Sequence, residues 1–231
     1  MKSLMITLLM MIISLGIINA QSPCATMMSQ EQLDWLKNYK SNPFNSLKVS
    51  RANGFYYIPV KVHIVGDNNG NGYYKVKHLI STMCELNTQF AQVGFYFYLF
   101  GDIHYLNNST MYSHANFSAG SVANANNDIN AINIYFVEDP AGACGYFSGG
   151  WGGSSKPFIA IKKSCSGIGN TTVAHEIGHY FELPHTFSGW ESRSASDAAS
   201  FNDERVNGSN CSRSGDYFCD TPADFISSRW N

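Results

Sequence analysis

The segment Asn170–Phe187, NTTVAHEIGHYFELPHTF, restricts this chain more than any other stretch. Asn170, Thr171 and Thr172 are N-cap residues by type, so an active-site helix is expected over 173–182. Residues four apart share a helix face, so His175 and His179 would aim their imidazoles at one point and could grip a single metal ion. Glu176, one residue off that face, can reach a water at the metal and act as general base. A catalytic zinc usually takes three protein ligands, and two residues compete for the third place. Glu182 would stay on the same helical face, whereas His185 needs the chain to turn. Pro184 disfavours helical geometry at Leu183, which breaks the helix near Glu182 and lets His185 swing back. Imidazole also suits zinc, so His185 is favoured. The rival set of His175, His179 and Glu182 would be a two-histidine, one-carboxylate iron site that keeps its metal in His185→Ala.

Residues 1–20 open with Lys2, run apolar from Leu4 to Ile18 and end Ile18-Asn19-Ala20. This is the pattern of a secretory signal peptide, and a 15-residue run is short of the roughly 20 needed to cross a bilayer. A secreted, extracellular protein without stable membrane insertion is expected. Export places Cys24, Cys84, Cys144, Cys165, Cys211 and Cys219 in an oxidising compartment, where disulfides are the default. Spacing alone fixes no pairing, although 144 with 165 and 211 with 219 are the short-range choices. With 15 basic against 17 acidic residues and no basic block, the chain lacks the electrostatic footprint of a nucleic-acid or anionic-membrane binder.

Along the chain, Ser29-Gln30-Glu31-Gln32 has the form of a capping box and opens a short helix through Leu33, Trp35, Leu36 and Tyr39. Strands are expected at 55–65, 94–100, 131–137 and 158–162, from their aromatic and β-branched content. Apolar residues at three- and four-residue steps over 76–93 mark a backing helix. Residues 107–130 read as a long surface loop with one helical turn, and Gly145–Gly153 as a flexible loop, since it lacks the ending of a phosphate-binding loop. The order gives an α/β domain with a mixed, mostly parallel twisted sheet. His63, His78, His104 and His114 do not share the ligand spacing and are given no chemical role. Asp203, Glu204, Asp216, Asp220 and Asp224 form either an oxygen-rich calcium site or a solvated acidic loop.

Two blocks carry a resemblance. His175–Phe187, together with Gly215-Asp216-Tyr217-Phe218-Cys219-Asp220-Thr221-Pro222-Ala223, resembles the pappalysin family of metzincin zinc peptidases, over roughly residues 56 to 226. The resemblance implies a metzincin-like fold, zinc on His175, His179 and His185, Glu176 as base and acid, and calcium near Asp220. It also implies cleavage of extracellular proteins, with an edge strand, taken as Phe158–Lys162, holding the substrate by strand addition. The chain departs from the family at Glu182, where the motif has glycine at its turn, which a side chain would strain by about 1 kcal/mol. The sequence also has no methionine after Met111, whereas the family places a methionine turn beneath the zinc, and its last tyrosine is Tyr217.

The expectation is therefore a secreted zinc-dependent endopeptidase acting on protein or peptide substrates. Its parts would be a signal peptide (1–20), a leader or latency segment (21–55) and a catalytic domain (56–231) that stops before the methionine turn, leaving the C-terminal subdomain incomplete. In the leader, Cys24 would either join a disulfide or cap the zinc as a thiolate. The competing reading is a secreted metal-binding or adhesion module with a structural or inactive zinc site. Substrate specificity and oligomeric state are left open by the sequence.

Overall fold

The computed structural model describes residues 24–26, 28–41, 54–115, 119–149, 156–190 and 203–224; the expected signal peptide lies outside them. Ser29 opens α1 (Gln30–Ser41) with a reciprocal cap: its Oγ accepts from the Gln32 N–H at 3.3 Å, and its own N–H donates to Gln32 Oε1 at 2.9 Å. β1 (Tyr56–Gly66) is buried almost continuously from Val60 onward, as a strand covered on both faces must be. α2 (Val76–Phe90) turns Leu79, Thr82, Met83 and Leu86 inward and ends in a 3-10 turn over Ala91–Val93. β2 (Phe95–Leu99) and β3 (His104–Asn107) lie parallel to the first and second halves of β1.

α3 (Ser109–Tyr112), β4 (Ser113–His114) and α4 (Gly120–Asn126) follow, then β5 (Ile132–Val137), β6 (Asp139–Pro140), β7 (Gly145–Ser148), β8 (Phe158–Lys162) and α5 (Thr172–Tyr180). The main sheet runs β2-β1-β5-β8-β7, with β3 also on β1, and every pairing is parallel except β7 with β8. β4 and β6 pair separately. This is an α/β fold with a mixed, mostly parallel sheet.

One sheet face, bearing Val60, Val62, Ile64, Phe97, Ile134 and Phe136, packs on α2 and on Val173 and Ile177 of α5. Alternation puts Val65, Tyr135, Val137 and Ala160 on the opposite face, where Met111, Ala119 and Ala123 cover them. Residues 107–130 are thus not the surface loop expected from their Asn, Ser and Ala content. Their few apolar side chains seal the second core, and apolar burial overrides polar composition.

Two further corrections concern the sheet. Phe158–Lys162 is not an edge strand: β8 lies between β5 and β7, with Phe158, Ile159, Ala160 and Ile161 buried. The edge is β7, in the segment expected as a glycine-rich loop, because burial of Tyr146 and Phe147 draws it onto the sheet. A disulfide between Cys144 and Cys165 ties the start of β7 to the chain just beyond β8, and a second joins Cys211 to Cys219. Among the described residues, no helix is long and apolar enough to cross a membrane.

Candidate metal centre

α5 packs Val173 and Ile177 into the core and thereby presents His175, Glu176 and His179 toward β7. The approach is close. A Cβ on Gly145 would stand 3.1 Å from Glu176 Cγ, Ile161 Cδ1 and Thr172 Cγ2, so the bare glycine lets the edge strand lie against this helix without displacing those side chains. The helix ends at Tyr180, two residues before the expected 182, with the Glu182 N–H bonded to His179 O and the Leu183 N–H to Gly178 O. Glu182 takes the turn itself, at φ 63, the left-handed region that glycine adopts without strain.

That turn returns His185 to the helix. His179 Nε2 lies 3.0 Å from His175 Nε2 and 3.2 Å from His185 Nε2, and Cys24 Sγ is 3.5 Å from His179 Nε2. The four side chains hold their donor atoms within 4.8 Å of one another. Tetrahedral zinc bonds of about 2.1 Å to nitrogen and 2.3 Å to sulfur set N···N near 3.4 Å and N···S near 3.6 Å, so these spacings fit one zinc ion. The tautomer of His179 also fits: Nδ1–H donates to Leu183 O at 2.7 Å, which leaves the Nε2 lone pair for a metal. Burial, then the neighbouring His185 and His175, push His179 down to about 3, so its imidazole is neutral. Glu182 is elsewhere, with its Oε2 accepting from Gln32 Nε2 at 3.1 Å.

Glu176 is fully buried beside the cluster. Its Oε2 accepts from Thr26 Oγ1 at 2.8 Å, while Oε1 is buried with no hydrogen-bond partner. Burial raises its carboxyl to about 7, against the pull of the Thr26 and Cys24 hydrogen bonds and of His185. Burial and the nearby Glu176 charge likewise push the Cys24 thiol up to about 12; a cation among the histidines would act in the opposite direction.

Cys24 stands outside both disulfides, and residues 24–26 enter the cleft with it. The Ala25 N–H donates to Gly145 O at 3.0 Å and the Phe147 N–H to Thr26 Oγ1 at 2.7 Å, so residues 24–26 dock along the open edge of β7. α1 continues from there across Glu182 and the Tyr217–Phe218 segment, with Lys37 Nζ 5.1 Å from the Tyr217 ring centre and Lys40 Nζ 4.3 Å from that of Phe218. Sequence reading missed Thr26, Gln32 and the edge role of β7. The first two lie about 150 positions from their partners, and nothing in the local pattern announces them.

The carboxylates near the end do not all gather. Glu204 and Asp216 are buried, and Glu204 Oε2 has no hydrogen-bond partner. Burial, then the Asp216 charge, raise the Glu204 carboxyl. Asp216 is engaged by the Phe218 N–H and the Thr221 hydroxyl, and Asp224 by Thr186.

No family model matches this chain. It is similar to three fungal proteins. An extracellular metalloprotease of Colletotrichum graminicola is 28% identical over 181 residues, covering 72% of this chain and 57% of that protein. Extracellular metalloprotease 1 of Coccidioides posadasii is 26% identical over 196 residues, covering 77% and 63%. An extracellular metalloprotease of Sordaria macrospora is 27% identical over 181 residues, covering 72% and 56%. The chain thus spans less than two thirds of the length of these curated relatives.

Proposed function

We propose that this chain carries the catalytic site of a secreted, zinc-dependent endopeptidase of the pappalysin type, held latent by its own leader. The observation that carries the reading is the convergence of three imidazole Nε2 atoms beside a buried carboxylate that has one unpartnered oxygen. The likeness to proteins named extracellular metalloproteases supports it. His175, His179 and His185 would hold zinc, which supplies Lewis acidity toward a peptide carbonyl. Glu176 takes the proton of the attacking water and returns it to the leaving amine nitrogen. With the leader gone, β7 offers its Gly145 carbonyl and Phe147 N–H to an extended substrate, which adds as a further strand. In the latent form Cys24 would be a further zinc ligand, while the Thr26 hydroxyl donates to the proposed base. The orphan oxygen of Glu204 beside Asp216 supports a calcium ion at that block.

Purified protein should bind one zinc per chain and, after removal of the leader, cleave casein. Glu176→Gln should bind zinc and cleave nothing; a variant as active as the parent defeats the proposal.

A further inference from the structure

We infer that Asp224, acting through Thr186, is a positioning residue for His185. The inference rests on the reading of His185 as a metal ligand. His175 and His179 are fixed by α5, and His179 is held a second time by Leu183 O. His185 lies beyond the end of α5: it follows Pro184 in a chain of turns, with the Ser188 N–H bonded to His185 O at 3.0 Å and the Trp190 N–H to Phe187 O at 2.9 Å. Its ring plane is set by Phe187, stacked at 4.5 Å with an interplanar angle of 11°. Its backbone is anchored by the next residue, whose hydroxyl Thr186 Oγ1 donates to Asp224 Oδ2 at 2.6 Å.

Asp224 reaches that point from just beyond a cross-linked and hydrogen-bonded block. The Cys211–Cys219 disulfide closes it, and Asp216 braces the turn by accepting from the Phe218 N–H at 2.8 Å and from Thr221 Oγ1 at 2.7 Å. The block therefore sets where the third imidazole stands without touching the metal. Outer partners that orient a ligand commonly change metal affinity 10–100-fold, and the charged acceptor makes this a strong bond.

The test uses the full secreted chain. Zinc affinity is measured by competition with a chelating dye, alongside the visible spectrum of the cobalt-substituted protein and the thermal midpoint of the metal-free protein. Thr186→Val and Asp224→Asn should each weaken zinc about 10-fold and shift the cobalt spectrum, while Thr186→Ser restores both. The double variant should bind no worse than either single one, because both break one connection. Zinc affinities within twofold of the parent, or Thr186→Ser as weak as Thr186→Val, would overturn the inference and leave the peptidase reading standing. A parent that binds no zinc overturns both.

Discussion

The hydroxyl of Thr26 donates to Glu176 Oε2 across 150 residues of sequence, and Thr26 Oγ1 in turn accepts from the Phe147 N–H of the edge strand. One side chain therefore occupies both the proposed base and the backbone donor that a substrate would use. With Cys24 at the histidines, residues 24–26 meet the histidine cluster, Glu176 and the edge strand together.

Removing either contact should weaken latency. Cys24→Ala is expected to raise cleavage of a quenched peptide by the intact chain at least tenfold, since it opens the ligand position. Thr26→Val should raise it less, because Cys24 would still cap the metal. Equal activity in parent and Cys24→Ala, each with its leader attached, would refute the latency reading.

The left-handed turn at Glu182 makes an opposite pair of effects measurable. Glu182→Gly relieves strain of about 1 kcal/mol at φ 63 and also deletes the bond to Gln32. Urea unfolding should show a more stable catalytic portion after leader removal. In the intact chain, the lost leader contact should offset much of that gain.

Gly145→Ala should destabilise the protein by about 1–3 kcal/mol, because a methyl group there meets Glu176, Ile161 and Thr172 at 3.1 Å. A thermal midpoint equal to the parent's would show that the edge strand does not lie against α5 as described.

Acid should loosen the sheet through His63. Its Nε2 pairs with Asn133 Oδ1 at 3.0 Å and its Nδ1 with His104 Nδ1 at 2.9 Å. Asn133 gives its amide hydrogens to Asp128 O and Ala131 O, so its oxygen faces His63, which donates through Nε2–H and accepts at Nδ1. A second proton on His63 would set two N–H groups against each other. Burial, above all, lowers His63 to about 4 from its ordinary 6.5. The unfolded chain therefore binds the extra proton first as the pH falls. The contribution is complete above pH 6.5 and is lost between about 6.5 and 4, up to roughly 3 kcal/mol. Urea midpoints of metal-free protein across that range should fall more steeply for the parent than for His63→Gln; identical slopes would count against the assignment.

The elements that sequence alone set out are those written in local periodicity. The four-residue step of His175 and His179, the Pro184 break, the 76–93 apolar stripe and the Ser29 cap each depend on neighbours within a turn or two. The two disulfides found are the short-range choices that cysteine spacing offered without fixing them. Tertiary structure alone decided which strand forms the edge, because Tyr146 and Phe147 gain their burial from β8, which the glycines around them conceal. It also brought Cys24 and Thr26 to residues about 150 positions away, joined Thr186 to Asp224, and bonded the Glu182 carboxylate to Gln32. Such contacts arise when packed layers bring distant segments to one cleft, and no local pattern encodes them.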